Sequence, residues 1–382
     1  MYLRSLHLRH FRNYGDQIIT LPSPKTILLG DNAQGKTNLL EAVELLTTLK
    51  SRRCSRDHEL VQTSHGHAQI TATVDRLAVS HDLILDLRST GRRSLRVNGY
   101  PVRRQVDFLG QVNAVMFSSL DLQLVRGGPE VRRDWLDDVL IQLEPVYVDL
   151  LETYRRILKQ RNALLKTERE GGSLSSAEVT TWDHELAHAG TRLMRRRARL
   201  IERIHPLAHH WHQAISGGQE ALTLRYKPQV PFSPLSQDPS AIQATFWAEM
   251  QAKRPAEIAL GTSLVGPHRD DLEMQINQVA ARSYGSQGQQ RTLVLALKLA
   301  ELELIEQVQG DPPLLLLDDV LAELDLHRQD HLLNAIQDRV QTLVTTTHLG
   351  SFDARWLQSA QILQVRQGQI YPAAAAFPHP LD

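Results

Sequence analysis

The sequence predicts an α/β fold in which two chain segments build one head and a helical lobe is inserted between them. Three observations predict it. Short, unbroken apolar runs such as Leu314-Leu315-Leu316-Leu317 end in glycine or carboxylate residues, as parallel strands buried on both faces do. From about Gly128 the apolar residues recur instead with a helical period. From Gly261 the mixed strand-and-helix texture returns. The expected divisions are 1–116 for the first part of the head, 117–260 for the lobe and 261–382 for the second part.

Each element follows from its local pattern. Residues 3–8 alternate as a strand, residues 17–21 form a second, and Thr26-Ile27-Leu28-Leu29 reads as a short buried one. Residues 68–74, 83–87 and 95–97 look like antiparallel strands, punctuated by the turn signals Ser89-Thr90-Gly91 and Asn98-Gly99. Pro129-Glu130 stands at favoured helix-opening positions, and helical patterning runs to about Lys166. Glu170-Gly171-Gly172-Ser173 breaks it. A second long helix then starts near Ser176, with Leu186, Ala189, Leu193, Leu200 and Ile204 on one face, so a helical hairpin is expected. The Pro-rich residues 227–239 read as a loop before a short helix at 240–254. Leu272, Met274 and Ile276 alternate as a strand, 285–288 is a loop, and 289–307 is an amphipathic helix. A strand at 314–317, a helix near 328–336, a strand at 342–346 and a hairpin around Gly368 complete the set. The run at 373–376 is a low-complexity tail, and no internal repeat is present.

Composition excludes several classes. An apolar share of 42% with 23% charged residues describes an ordinary globular chain. Charges interrupt the first nine residues, so no signal peptide is expected, and no apolar run approaches the ~18 residues of a membrane span. The one cysteine, Cys54, cannot form an internal disulfide. A cytoplasmic protein is the expectation. With 43 basic and 43 acidic residues the net charge is zero, so nucleic-acid binding has no global electrostatic support. The arginines nevertheless cluster locally.

The most informative motif is Gly30-Asp31-Asn32-Ala33-Gln34-Gly35-Lys36-Thr37, which fits G-x-x-x-x-G-K-[ST] without a mismatch. A buried strand precedes it and a helix with one apolar face follows. Strand, glycine-bearing loop and helix N-terminus together make a nest of backbone N–H groups that holds phosphate. Lys36 is expected to bridge the terminal phosphates of a nucleoside triphosphate, ATP, and Thr37 to ligate Mg²⁺. The apolar strand before Asp318-Asp319 supplies the second half: Asp318 for the Mg²⁺ shell and Asp319 to polarise the attacking water. Ser286-Gln287-Gly288-Gln289 precedes a helix, another anion-binding position. Ala322-Glu323-Leu324-Asp325 follows the carboxylate pair, and His348 ends a strand where it can bond a γ-phosphate.

In this order the motifs resemble those of the ABC-type ATPase head, a P-loop NTPase: phosphate loop, Ser-x-Gly-Gln signature, strand with acidic pair, D-loop and switch histidine. Such heads pair across ATP. The resemblance therefore implies that Ser286, Gly288 and Gln289 of one copy complete the pocket of another, making an ATP-dependent homodimer with slow hydrolysis gated by pairing.

Further blocks run through Leu8-Arg9-His10-Phe11-Arg12-Asn13-Tyr14, the phosphate loop with Asn38-Leu39-Leu40-Glu41-Ala42, and Asp121 through Pro129 with Arg132-Arg133 and Leu136-Asp137. They continue in Gly266-Pro267-His268-Arg269-Asp270-Asp271-Leu272, Ser286 through Arg291, and Leu316 through Val320 with Glu323-Leu324-Asp325. These blocks span nearly the whole chain, and in them it more closely resembles the RecF family of bacterial recombination mediators. Ser118-Ser119 departs from the family, which usually has a proline there. The resemblance implies a weak, DNA-dependent ATPase of recombinational repair and replication-fork recovery. As an ATP-bound dimer it would bind duplex DNA or a duplex–single-strand junction. With RecO and RecR it would promote loading of RecA on single strands coated by SSB.

Candidate DNA contacts are Arg92 and Arg93, with Arg96, Arg103 and Arg104 nearby, then Arg132 and Arg133, and Arg195 and Arg196. Arginines that neutralise phosphates bind any sequence and give steep salt dependence. No ladder of aromatics for base stacking is evident, which favours duplex contact. Two other readings compete with this one. One is a transporter-type ATPase subunit, disfavoured by the long interval between Lys36 and Ser286. The other is a nucleotide-gated structural clamp, which differs in hydrolysis rate.

Overall fold

A computed structural model of the chain describes residues 1–172, 176–232, 238–336, 339–352 and 354–372. The tail at 373–376, Ser173 of the expected helix break and 233–237 of the Pro-rich loop lie outside the described residues. In chain order the strands are β1 (Tyr2–Phe11), β2 (Tyr14–Thr20), β3 (Lys25–Leu29), β4 (His67–Arg76), β5 (Val79–Arg88), β6 (Ser94–Val97), β7 (Tyr100–Val102) and β8 (Ala114–Ser118). They continue as β9 (Leu222–Lys227), β10 (Asp271–Ile276), β11 (Val279–Ala280), β12 (Leu314–Asp318), β13 (Thr342–Thr346), β14 (Gln361–Arg366) and β15 (Gln369–Pro372).

The chain divides into two compact units, residues 1–121 with those from 295 onward, and residues 122–294. The first unit holds two sheets. One runs β15-β14-β3-β13-β12-β8 and is parallel from β14 through β8. Its central strands are buried except for the last residues of β3 and β12, which is why Ile27-Leu28 and Leu314 through Leu317 read as continuous apolar runs. The other, β2-β1-β4-β5-β6-β7, is antiparallel, and buried residues alternate along its central strands β4 and β5. In register, Asp318 lies opposite Thr345 and Thr346 opposite Leu29, so the carboxyl ends of β12, β13 and β3 lie side by side. In an open parallel sheet that edge is where ligands bind.

The second unit is mainly helical. Its helices include Pro129–Leu143, Tyr147–Arg169, Ser176–Ser216 and Pro239–Leu260. The expected hairpin of two long helices is present, and the helix expected at 240–254 is longer. This unit also contains a small sheet, β11-β10-β9.

The expected return to the head at 261 is corrected, because residues 261–294 belong to the second unit. The cause is specific. β10 pairs with β9 from Asp271↔Lys227 to Ile276↔Leu222. Arg161, 1% exposed, donates to Asp183 Oδ1 at 2.6 Å, Ser263 Oγ at 2.8 Å and Glu257 Oε2 at 2.7 Å. A buried guanidinium requires such partners, and Ser263 is one of them. β9 itself escaped the sequence reading, as did β8, whose four apolar residues carry no period to classify them.

Candidate nucleotide-binding site

The loop after β3 is held from three sides within the first unit. Asn13 Nδ2 donates to the Gln34 carbonyl at 2.9 Å, and the Tyr14 hydroxyl donates to the Gly35 carbonyl at 3.0 Å. From the β14–β15 turn, the Gly368 N–H donates to the Gln34 carbonyl at 3.0 Å and the Gln367 N–H to Gln34 Oε1 at 2.8 Å. Two glycines are required here. A Cβ at Gly30 would stand 2.4 Å from the Val365 carbonyl oxygen, and Gly35 has φ +117° with a would-be Cβ 2.6 Å from Asn13 Nδ2. Asp31, Asn32 and Ala33 are exposed at the crest, and Ala33 also has positive φ. Lys36, 4% exposed, donates from Nζ to the carbonyls of Gly30 at 2.7 Å and Asp31 at 3.0 Å. The helix Lys36–Thr48 begins here, with its first N–H groups turned toward the loop. A cavity of 690 Å³ flanks the loop, lined in part by Gly30, Asp31, Gln34 and Thr347.

At the neighbouring strand ends, Thr37 Oγ1 and Thr345 Oγ1 each donate to Asp318 Oδ1 at 2.9 Å. Burial pushes the Asp318 carboxyl above the usual range, against the lowering effect of the two hydroxyls. A desolvated carboxylate beside a hydroxyl is the hard oxygen set that suits Mg²⁺. Asp319 has φ +54°, and its N–H donates to Thr345 Oγ1 at 2.8 Å. This conformation is uncommon for a residue with a side chain. The His348 ring is exposed, and its backbone is tied back through Thr346 Oγ1, which donates to the His348 carbonyl at 2.8 Å. The structure thus brings Lys36, Thr37, Asp318, Asp319 and His348 to adjoining ends of one parallel sheet.

Ser286, Gly288 and Gln289 belong to the second unit, where they open the helix Gln287–Gln309. Gln289 N–H donates to Ser286 Oγ at 3.2 Å while Ser286 N–H donates to Gln289 Oε1 at 2.8 Å. This reciprocal capping fixes the first turn and leaves Ser286 exposed. Sequence reasoning missed what holds Gln289. Its Nε2 donates to Glu220 Oε1 at 2.8 Å, and Glu220 Oε2 lies 3.6 Å from Nε2 of the fully buried His212. It also missed Thr345 and the Asn13-Tyr14 clamp as site components. Asn13-Tyr14 stands next to the Phe11-Arg12 strand end, but no local pattern assigns it to a loop twenty residues on.

The candidate DNA arginines separate sharply. Arg92 is exposed, whereas Arg93 binds both oxygens of Asp57 and the Leu49 carbonyl. Arg132 is corrected: it is 5% exposed and donates to Asp271 Oδ1 at 2.7 Å, Asp271 Oδ2 at 3.0 Å and the carbonyls of Leu124 and Gly127. Its charge is neutralised inside the unit, so it presents nothing to a phosphate. Arg133 donates to the Asp270 carbonyl, Arg196 to Glu144, and Arg195 keeps a buried Nε.

Comparison with known proteins identifies the relatives of the chain. Residues 2–370 match the family model described as RecF/RecN/SMC N terminal domain. A protein called DNA replication and repair protein RecF, from Synechococcus sp. (strain JA-2-3B'a(2-13)), is 69% identical over 98% of both chains. A solved structure of the recombination mediator protein RecF with ATP, in the RecFOR pathway, superposes with a TM-score of 0.90 at 29% identity over 98% of both chains. A head domain of the SMC class derived from Pyrococcus furiosus shares the fold, at TM-score 0.53 and 16% identity over 97% of this chain and 95% of that one.

Proposed function

This chain belongs to the RecF family, and from that membership we propose that it is an ATP-dependent DNA-binding protein of recombinational repair that works as an ATP-bound dimer. The observation that carries the reading is the convergence of Lys36, Thr37, Asp318 and Asp319 at adjoining strand ends, with the phosphate loop clamped in shape by Asn13 and Tyr14. Preorganised donors of this kind bind anionic ligands without reorganisation at the moment of reaction.

The roles follow from position. The N–H groups of residues 31–37 would face the phosphates, and Lys36 Nζ, held at the loop by the Gly30 and Asp31 carbonyls, would supply the cation that bridges them. Thr37 and Asp318 would hold Mg²⁺, which when bound would supply charge neutralisation for the triphosphate. Asp319, whose carboxylate makes no hydrogen bond among the described residues, orients and polarises the attacking water. His348 donates to the γ-phosphate from the end of β13. Exposed Ser286, with Gly288 and Gln289, closes the pocket of a second copy, so hydrolysis is slow and coupled to pairing. In its cytoplasmic setting the dimer binds a duplex or a duplex–single-strand junction, and with RecO and RecR it promotes RecA loading. DNA contact stimulates turnover.

The test is DNA binding with and without Mg·ATP across a salt series, on duplex, single-strand and gapped substrates. Binding that requires ATP and falls steeply with salt is expected. Salt-independent or ATP-independent binding overturns the reading.

A further inference from the structure

Residues 88–106 contain six arginines and no acidic residue, in a chain whose net charge is zero. They form the outer edge of the antiparallel sheet of the first unit, where β6 pairs with β5 and β7 closes the edge. The Asn98-Gly99 turn between β6 and β7 has both residues at positive φ, +52° and +79°. Asn98 clasps Asp82 twice, N–H to the Asp82 carbonyl at 2.7 Å and Oδ1 from the Asp82 N–H at 2.8 Å. The edge is therefore held in shape.

What it displays is a cation set with an aromatic ring. Tyr100, directly after the turn, is 76% exposed. Arg88, Arg92 and Arg103 are exposed, and their guanidiniums carry no hydrogen bond or ion pair among the described residues. Arg96 reaches Asp86 only at 3.8 Å, and Arg104 pairs with Asp107 at the surface. Because Val102 lies opposite Leu95, the chain leaving β7 carries Arg103 back toward the end of β6 that Arg92 and Arg93 enter. Tyr100 and Arg103 thus mark the two ends of the three-residue strand β7, a span of about 10 Å.

Resting on the DNA reading above, we infer that this edge is the contact for unpaired nucleotides beside a duplex. Three free guanidiniums match a phosphate chain. The tyrosine decides between strand states. A duplex hides its base faces in the stack, whereas unpaired bases present theirs, and a base stacked on an aromatic contributes about 1–3 kcal/mol. Pro101 and the arginines are enough to guard an edge strand from pairing with another chain. An edge guard has no use for an exposed ring.

The test uses the whole protein with Mg·ATP and measures affinity for single-strand, blunt-duplex and gapped DNA. Tyr100→Ala is expected to weaken single-strand and gapped binding by about tenfold, leaving blunt duplex within twofold, and Tyr100→Phe to restore it. Arg92→Gln with Arg103→Gln should reduce the single-strand salt slope by about 1.4. In the wild type, single strands carrying a halogenated pyrimidine should crosslink to the peptide that contains Tyr100. Equal losses on duplex and single strand, or no change in Tyr100→Ala, overturn the inference while leaving DNA binding itself intact. A wild type that binds no DNA removes the broader reading, and this inference with it.

Discussion

The Thr37 hydroxyl and the Asp318 carboxylate meet at 2.9 Å although 281 positions separate them in the chain. The sheet order explains the meeting. β13 lies between β3 and β12, Thr345 bonds the same Asp318 oxygen, and the helix that begins at Lys36 brings Thr37 over the strand ends. Asp318→Asn keeps the size and one acceptor but removes the charge that a hard cation requires. Mg²⁺-dependent ATP binding is expected to fall at least tenfold, measured by calorimetry with and without Mg²⁺. The free protein should not be destabilised. Burial raises this carboxyl's pKa, so the charged form lowers stability as pH rises through the folded value, and asparagine removes that cost. A large drop in melting temperature for Asp318→Asn would mean the residue is structural.

Lys36→Met should abolish ATP-driven pairing. The lysine is buried against two loop carbonyls, so methionine fits the stem while losing the cation that bonds them. Sedimentation with saturating Mg·ATP is the measurement. Dimers of Lys36→Met equal to wild type would remove the phosphate-bridging role.

Asp319→Asn should bind ATP normally and accumulate as an ATP-bound dimer, with turnover reduced by about 10²-fold or more. Its backbone is fixed by the N–H bond to Thr345 Oγ1, which asparagine retains, and asparagine tolerates the positive φ. The change therefore isolates the carboxylate. Wild-type turnover in this variant would assign the base elsewhere.

Glu220 sets the orientation of Gln289, and Gln289 in turn caps Ser286. Glu220→Ala is expected to weaken ATP-dependent pairing several-fold with monomer ATP affinity unchanged, because its effect lies in the second unit. Ser286→Arg should prevent pairing altogether, again with ATP binding intact. Loss of monomer ATP binding in Ser286→Arg would refute its action on a second copy.

Much of this site was legible because its signals are local. A glycine loop between strand and helix, or an apolar run ending in Asp318-Asp319, carries its own context, and the Asn98-Gly99 turn announced its hairpin. Partnerships distant in sequence were illegible. Arg132 reads as half of a basic pair and only the fold supplies Asp271 to neutralise it. The boundary at 261 failed for the same reason, since Ser263 and β10 are committed by Arg161 and β9 rather than by any pattern of their own. Glu220, in a polar stretch, carries no signal of its tie to Gln289.

Within the second unit, His268 and Asp270 give opposing contributions to stability in one pH window. Burial lowers the His268 pKa to about 4, and its ring sits neutral between the Tyr154 hydroxyl at 2.7 Å and the Ser263 carbonyl at 3.1 Å. Burial raises Asp270 to about 6, despite bonds from Tyr226 and the Gln229 N–H. A histidine depressed on folding loses stability as pH falls from its ordinary value toward 4. A carboxyl raised on folding gains stability as pH falls from 6 toward its ordinary value. Between pH 6 and 4 the two slopes therefore oppose each other, and the wild type should show a shallow dependence from this pair. In Asp270→Asn the histidine slope stands alone, so the melting temperature should drop more steeply on acidification. In His268→Gln the carboxyl slope stands alone and the drop should be shallower than wild type, or reversed. Thermal unfolding of the three proteins across this range measures it, and parallel curves would show that neither group changes protonation there.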